Sequence, residues 1–199
     1  MFSASRLIFV VSLAIVQFMA LADSANPTPG PKKNILKTVC LDAGHGGKDP
    51  GCLGPKGAHE GIVTLKIILA LGKKLKQEYP DLKVIYTRET DDFIELNERA
   101  NIANRNKADL FISVHCNAAL NKNAYGTETY TMGLHKTDGN LNVAKRENSV
   151  ILQEKDYQKT YDGFDPNSPL AHIMMANYQS AFMASSVKFA SKVEEQFTK

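Results

Sequence analysis

Residues 37–47 read Lys37-Thr38-Val39-Cys40-Leu41-Asp42-Ala43-Gly44-His45-Gly46-Gly47, an apolar run that opens into a glycine-rich loop. A short run of β-branched and apolar residues that ends at glycine is typical of a buried strand. Because Cys40 lies inside this run, we expect it to be a packed thiol. The sequence therefore predicts a buried strand whose carboxyl end carries His45.

Two further apolar runs, 82–87 and 110–115, predict strands of the same kind. Each interval between the strands has a helical pattern of apolar residues. The second pattern follows Asp92 and Glu95, which have the spacing of a capping box. The apolar residues of the two patterns are Ile62, Leu65, Leu69 and Leu75, and then Ile94, Ala100 and Ile102. Alternating strands and helices predict an α/β fold, with a mostly parallel sheet and helices on both faces.

The second half of the chain predicts three more features. The segment 126–132 has the composition of a fourth strand, and residues 133–167 form a polar, lid-like excursion too long for an ordinary connection. Ser168 and Pro169 predict the start of a long amphipathic helix that continues to Phe197.

The amino terminus predicts export. Residues 1–22 contain Arg6, an apolar stretch and a small-x-small end at Ala20-Leu21-Ala22, as in a secretory signal peptide. The stretch is shorter than the roughly 20 residues that a membrane-spanning helix needs. We expect a flexible leader over 23–34 and a single domain over 35–199. With three cysteines, the exported chain can form at most one internal disulfide.

Composition excludes several classes of protein. The chain has 199 residues, 43% hydrophobic and 23% charged, which is typical of a soluble globular domain and excludes a disordered or multi-span membrane protein. A formal net charge of +3, with scattered basic residues, gives no support for a nucleic-acid partner.

The candidate chemistry lies at one edge of the predicted sheet. His45 and His115 follow two strands, and Glu60 opens the first helix, so all three can meet where parallel sheets bind ligands. Two imidazoles and a carboxylate are a ligand set of catalytic zinc. Taken singly, the histidines could be structural and Glu60 could serve only the helix dipole. A dinucleotide-binding loop is excluded because Asp49 replaces its third glycine.

These segments also resemble a known family. Similar stretches are Val39 to Gly51, Glu60, Tyr86-Thr87-Arg88, Asp92-Phe93, Leu96, Glu98-Arg99, Ala103-Asn104 and Ala108 to Ala118, with looser similarity at 126–130, Glu147-Asn148 and the final helix. They resemble the zinc-dependent N-acetylmuramoyl-L-alanine amidases of the type that splits daughter cells.

The resemblance implies a zinc ion held by His45, Glu60 and His115. His59, adjacent to Glu60, is a weaker candidate ligand, because the family has its carboxylate in that turn. It implies hydrolysis of the amide between N-acetylmuramic acid and L-alanine in peptidoglycan, in the periplasm or outside the cell. It also implies a protein activator as a further partner. Arg88, Glu98 and Arg99 are expected to form structural ion pairs near the site.

One departure concerns the catalytic residue. The family carries a catalytic glutamate in a Val-Glu-x-Gly-Phe type segment after the last helix, and no such segment precedes Lys199. Asp162-Gly163-Phe164 is a poor substitute, since it has Asp for Glu and precedes the helix. We therefore expect a truncated chain with little amidase activity, and a zinc-dependent wall-binding module is the alternative function. Glu128 and Glu147 are the first carboxylates to test if the chain is active.

Overall fold

The strand predicted from 37–41 lies at the centre of a three-stranded parallel sheet. Its strands are β1 (Thr38–Ala43), β2 (Lys83–Tyr86) and β3 (Leu110–Val114), in the order β2-β1-β3. In register, Val39 pairs with Val84 on one side and with Leu110 on the other. All three strand predictions are confirmed, and the shared direction of the strands brings their carboxyl ends to one edge.

The structure is a computed structural model that describes residues 36–117, 123–131, 138–161, 163–168 and 183–198. The predicted signal peptide, the leader and the beginning of the final helix lie outside these residues. Among the described residues, no helix has the length and apolar character needed to cross a membrane.

Five α-helices are described. They are α1 (Glu60–Glu78), α2 (Leu96–Arg105), α3 (Asp138–Asn148), the single turn α4 (Tyr157–Thr160) and α5 (Met183–Phe197), with 3-10 turns at Pro55–Gly57 and Ser149–Gln153. The first helix begins at Glu60, as predicted. The polar, lid-like segment expected over 133–167 contains α3, the 3-10 turn Ser149–Gln153 and α4, so most of its described part is helical. Val150 and Ile151 in this segment are buried.

The two faces of β1 contact different helices. Its odd-numbered side chains, such as Val39 and Leu41, pack in the core with Ile68 of α1. On the opposite face, Asp42 forms an ion pair of 2.8 Å with Arg99 of α2. Helices on both faces of a parallel sheet confirm the predicted α/β class. Cys40, on the same face as Asp42, is fully buried. Burial is the main reason that the pKa of the Cys40 thiol is raised to about 11, and the negative charge of Asp42 adds to the effect.

The buried Asp42 carboxylate joins all three strands. One oxygen accepts hydrogen bonds from Thr87 Oγ1 (2.6 Å) and Arg99 Nη1 (2.8 Å), and the other accepts one from Ser113 Oγ (2.5 Å). Thr87 follows β2, and Ser113 is in β3. Hydrogen bonds at both oxygens compensate for burying the charge, so the network fixes the strand ends relative to one another.

The fourth strand predicted over 126–132 is wrong for the described residues 126–131, which have no regular secondary structure. Their polar side chains contact other segments instead of extending the sheet. Glu128 accepts a hydrogen bond from Asn117 at 2.9 Å, and Thr129 bonds to Glu194 of α5. β-Favouring composition is a weak signal where side-chain contacts decide the path of the chain.

The capping box predicted at Asp92 and Glu95 is also wrong. The helix α2 begins at Leu96, and Glu95 at the N-cap position makes no side-chain cap hydrogen bond. The N–H of Leu96 donates instead to Glu154 Oε1 at 2.7 Å, and the N–H of Asn97 donates to Tyr161 Oη at 3.0 Å. A distant segment therefore provides the cap, which local spacing cannot reveal.

Candidate metal centre

Four side chains bring one donor atom each to a single point at the carboxyl edge of the sheet. They are His45 Nε2, Glu60 Oε1, His115 Nδ1 and Glu147 Oε2, and the donor atoms all lie within 4.8 Å of one another. The first three residues are the set predicted from the sequence. Glu147, near the end of α3, joins them.

The spacing of these atoms suits a single metal ion bound between them. The His45 Nε2 atom lies 3.2 Å from each carboxylate oxygen and 3.2 Å from His115 Nδ1. His115 Nδ1 lies 3.3 Å from Glu60 Oε1 and 3.0 Å from Glu147 Oε2. Donors of a tetrahedral zinc ion, at about 2.0–2.2 Å from the metal, are separated by about 3.3–3.6 Å. Five of the six donor–donor distances, at 3.0–3.3 Å, are close to that requirement, and the two carboxylate oxygens lie within 4.8 Å of each other.

His45 reaches this position through an unusual backbone conformation. Its φ is +61°, in the left-handed region that non-glycine residues adopt at a cost on the order of 1–3 kcal/mol. Arg99 Nη2 holds the turn by donating to the His45 carbonyl at 2.8 Å, and Arg88 donates to the Gly44 carbonyl at 2.8 Å. Both arginines are buried. Arg99 thus forms its expected ion pair, with Asp42, whereas the described contacts of Arg88 are with carbonyl and hydroxyl oxygens.

The ring of His45 is oriented by Asp49. The Asp49 Oδ2 atom lies 2.8 Å from His45 Nδ1, and the N–H of Gly51 donates to the other carboxylate oxygen at 3.2 Å. An acceptor at Nδ1 leaves Nε2 as the nitrogen that faces the cluster, an arrangement common around metal-binding histidines. Asp49 is a supporting residue that the sequence analysis used only to exclude a dinucleotide loop.

Glu60 is fixed by backbone donors on both of its oxygens. The N–H of Cys52 donates to Oε2 at 2.9 Å, and the N–H of Cys116 donates to Oε1 at 2.7 Å. The Glu60 side chain is only 1% exposed. Gly51 (φ +68°) allows this packing, because a Cβ at that position would come within 2.8 Å of Glu60 and 2.7 Å of His45. The three cysteines are free thiols.

His115 follows β3 and packs edge-on against His45, with ring centroids 4.9 Å apart. The ring lies against Gly44, where a Cβ would come within 2.5–2.7 Å of three ring atoms. Glycine is therefore required at position 44 for His115 to reach the cluster. The His115 side chain is 29% exposed, against 10% for His45, so the centre opens on the His115 side.

Glu147 has one oxygen engaged and the other directed at the cluster. Its Oε1 accepts hydrogen bonds from Arg146 Nε at 3.0 Å and Nη2 at 2.6 Å. Its Oε2 is buried and lies near both imidazoles, but has no hydrogen bond of acceptable geometry within the described structure. An unsatisfied buried carboxylate oxygen is costly, so this atom fits a metal ligand better than a metal-free contact.

The charges of the cluster also suit a divalent cation. Burial lowers the pKa of His45, but the carboxylates of Asp49, Glu147 and Glu60 more than offset it and raise the pKa to about 11. For His115, burial is likewise outweighed by Glu147 and Glu60, which raise the pKa to about 9. Burial opposes ionisation of Glu60 and Glu147, yet the imidazoles hold both pKa values well below the usual range. Exchange of two imidazole protons for one divalent cation would leave the net charge unchanged.

Other candidates lie outside the cluster. His59 occupies the N-cap position of α1 and does not contribute a donor atom. Glu128 accepts hydrogen bonds from Asn117 and Tyr130 instead. Asp162 lies outside the described residues.

The sequence of this chain matches the N-acetylmuramoyl-L-alanine amidase family over residues 39–199. The chain belongs to this family. The resemblance carried by the motifs around His45, Glu60 and His115 is thereby confirmed. All four donor residues lie within the amidase segment.

Individual amidase relatives match in part. The sporulation-specific N-acetylmuramoyl-L-alanine amidase of Bacillus subtilis is 42% identical over 40% of this chain and 31% of its own length. The amidase AmiC of Escherichia coli O6:H1 is 29% identical over 85% of this chain and 40% of its own length. The solved catalytic domain of the amidase CwlV from Bacillus (Paenibacillus) polymyxa is 34% identical, covering 56% of this chain and 62% of that one, with a TM-score of 0.46. The chain thus spans less than two thirds of the length of these relatives.

Proposed function

We propose that this chain is a zinc-dependent N-acetylmuramoyl-L-alanine amidase, which hydrolyses the amide between N-acetylmuramic acid and L-alanine in peptidoglycan. The observation that carries the proposal is the convergence of donor atoms from His45, Glu60, His115 and Glu147, all within 4.8 Å of one another. The set lies inside a segment that belongs to the amidase family. The predicted signal peptide over 1–22 would place the chain in the periplasm or outside the cell, where peptidoglycan is found.

His45, Glu60 and His115 would hold the zinc ion, and Asp49 would keep the His45 ring in place. Zinc, when bound, supplies a Lewis acid that polarises the amide carbonyl and activates water. A cavity of about 20 Å³, lined by residues that include His45, His115 and Glu147, lies beside the donors. Its size is sufficient for one water molecule.

Glu147 supplies the fourth donor of the proposed zinc site. Catalytic zinc sites have three protein ligands and leave the fourth position open, whereas four protein ligands are typical of structural sites. Amide hydrolysis therefore requires water to replace the Glu147 carboxylate at the fourth coordination position. The protein activator implied by the family resemblance is part of this proposal, and it would have to move α3.

The test measures metal content and amide hydrolysis in the same samples. We expect the full chain to retain about one zinc ion after dialysis, since four donor side chains converge on one point. With purified sacculi, the unmodified chain should release few stem peptides with a new free amine on L-alanine, because Glu147 occupies the position that water needs; mass spectrometry detects this product. His45→Ala, Glu60→Ala and His115→Ala should each lose zinc and this product.

His59→Ala is the matched control, because His59 is adjacent to Glu60 but gives no donor, and this variant should keep both properties. Loss of zinc from His59→Ala with retention in Glu60→Ala would contradict the assigned ligands. Zinc-dependent sedimentation with sacculi, without any released stem peptide, would instead support the wall-binding alternative.

Glu147→Gln separates two roles for this carboxylate. If Glu147 blocks the water position, the variant should hydrolyse sacculi at least as fast as the unmodified chain. A rate at least tenfold lower, with zinc still bound, would show that Glu147 is needed as a proton acceptor.

A further inference from the structure

The side chain of Arg146 contacts both the Glu147 carboxylate and the segment that follows His115. Its Nε and Nη2 atoms donate to the same oxygen, Glu147 Oε1, at 3.0 and 2.6 Å. Its Nη2 also donates to Asn117 Oδ1 at 2.8 Å. One guanidinium therefore links the helix that carries Glu147 to the strand end that carries His115.

The link continues away from the metal centre. Asn117 Nδ2 donates to Glu128 Oε2 at 2.9 Å, and Tyr130 Oη donates to the same oxygen at 2.8 Å.

The two oxygens of the Glu147 carboxylate have different surroundings. Oε1 accepts hydrogen bonds from Arg146, whereas Oε2 lies 3.0 Å from His115 Nδ1 and 3.2 Å from His45 Nε2. With Oε1 neutralised by a cation, only Oε2 is available to a metal ion.

We propose that Arg146 is a positioning residue that presents Glu147 to the metal centre through one oxygen only. This role rests on the proposed metal centre. Arginine suits it because the guanidinium is planar, permanently charged and able to donate in several directions at once, whereas lysine offers a compact point charge. Without Arg146, both Glu147 oxygens become free to bind the metal, which would raise its coordination number from four to five.

The test uses Co²⁺ in the full chain, since its visible absorption is intense in four-coordinate sites and weak in five- or six-coordinate ones. The unmodified chain should give the intense spectrum. Arg146→Ala should give the weak spectrum and bind Zn²⁺ about 10- to 100-fold less tightly in chelator competition, the usual effect of removing a group that orients a metal ligand. Arg146→Lys should restore part of both properties.

Three controls separate positioning from folding. Arg105→Ala removes a comparable arginine-glutamate pair, between Arg105 Nη2 and Glu98 Oε1 at 2.6 Å, and should leave the spectrum unchanged. Asn117→Ala cuts the link to the His115 segment but keeps the Arg146–Glu147 contact, so its effect should be smaller than that of Arg146→Ala. In a Glu147→Gln background, Arg146→Ala should have little further effect.

Two outcomes would overturn the proposal in different ways. An unchanged Co²⁺ spectrum and Zn²⁺ affinity in Arg146→Ala, or an equal loss in the Glu147→Gln background, would refute the positioning role and leave the metal centre intact. Failure of the unmodified chain to bind either ion would refute the metal centre itself, and the role of Arg146 with it.

Discussion

The proposed metal centre depends on residues that do not themselves supply a donor atom. Asp49 is such a residue, since its carboxylate lies 2.8 Å from His45 Nδ1 and its side chain is 13% exposed. Asp49→Ala would leave the His45 ring free to rotate about a strained backbone. We expect Zn²⁺ affinity to fall about 10- to 100-fold, measured by competition with a chromophoric chelator.

Asp49→Asn keeps an acceptor oxygen and should fall between Asp49→Ala and the unmodified chain. Asp81→Ala, which changes an exposed aspartate in the turn before β2, is the matched control and should not alter affinity. If both alanine variants lost affinity equally, net charge rather than orientation of His45 would explain the effect.

The sequence predicts three of the four donors because position along the chain decides them. His45 and His115 follow strands that run in parallel, and Glu60 begins the helix between them, so topology alone brings these residues to one edge. Glu147 could not be placed in this way. Its helix, α3, reaches the centre through tertiary contacts such as the Arg146–Asn117 hydrogen bond, and similarity at Glu147-Asn148 was the only signal.

Among the secondary-structure elements, α2 has the most testable boundary. Glu154 is only 5% exposed and receives both the Leu96 N–H (2.7 Å) and the Tyr161 hydroxyl (2.6 Å). Burial, and to a smaller extent the hydrogen bond to Glu154, raise the pKa of the Tyr161 hydroxyl. The hydroxyl therefore keeps its proton and can donate it in a hydrogen bond. Glu154→Ala would leave these partly buried donors without their acceptor. We expect it to lower the free energy of unfolding by about 1–3 kcal/mol, measured by urea denaturation.

Tyr161→Phe should cost less, because it leaves the bond between Leu96 and Glu154 intact. Glu98→Ala changes an exposed glutamate in the first turn of the same helix and should have little effect. Equal destabilisation by Glu98→Ala and Glu154→Ala would mean that helix charge, not the distant cap, determines the stability of α2.

Periodic apolar patterns predicted the strands and α1 well, since buried faces repeat along these elements. The two wrong predictions, the strand at 126–132 and the capping box at Asp92 and Glu95, both fall where side chains from distant segments satisfy the backbone or hold the chain. Contacts between distant segments do not produce a periodic pattern of apolar residues, so the sequence does not reveal them. Element boundaries are accordingly harder to predict than the elements themselves.

At the scale of the whole molecule, the proposed metal centre joins segments that are far apart in the chain. Its four donor side chains come from the loop after β1, the start of α1, the end of β3 and the end of α3. A metal ion that binds all four segments binds the folded chain and not the unfolded one. At 100 times its Kd it stabilises the fold by about 2.7 kcal/mol, which corresponds to a rise in Tm of about 5–10 °C for a domain of this size.

Thermal denaturation of the full chain with excess Zn²⁺, and with a chelator, measures this coupling. Zn²⁺ should raise Tm in the unmodified chain and in His59→Ala, but not in His115→Ala. Glu147→Gln should show a smaller shift, because three ligands remain after the connection to α3 is lost. Mg²⁺ should act weakly, since it prefers oxygen ligands in octahedral geometry. An equal rise in Tm for His115→Ala would show that zinc stabilises the chain through a different set of residues.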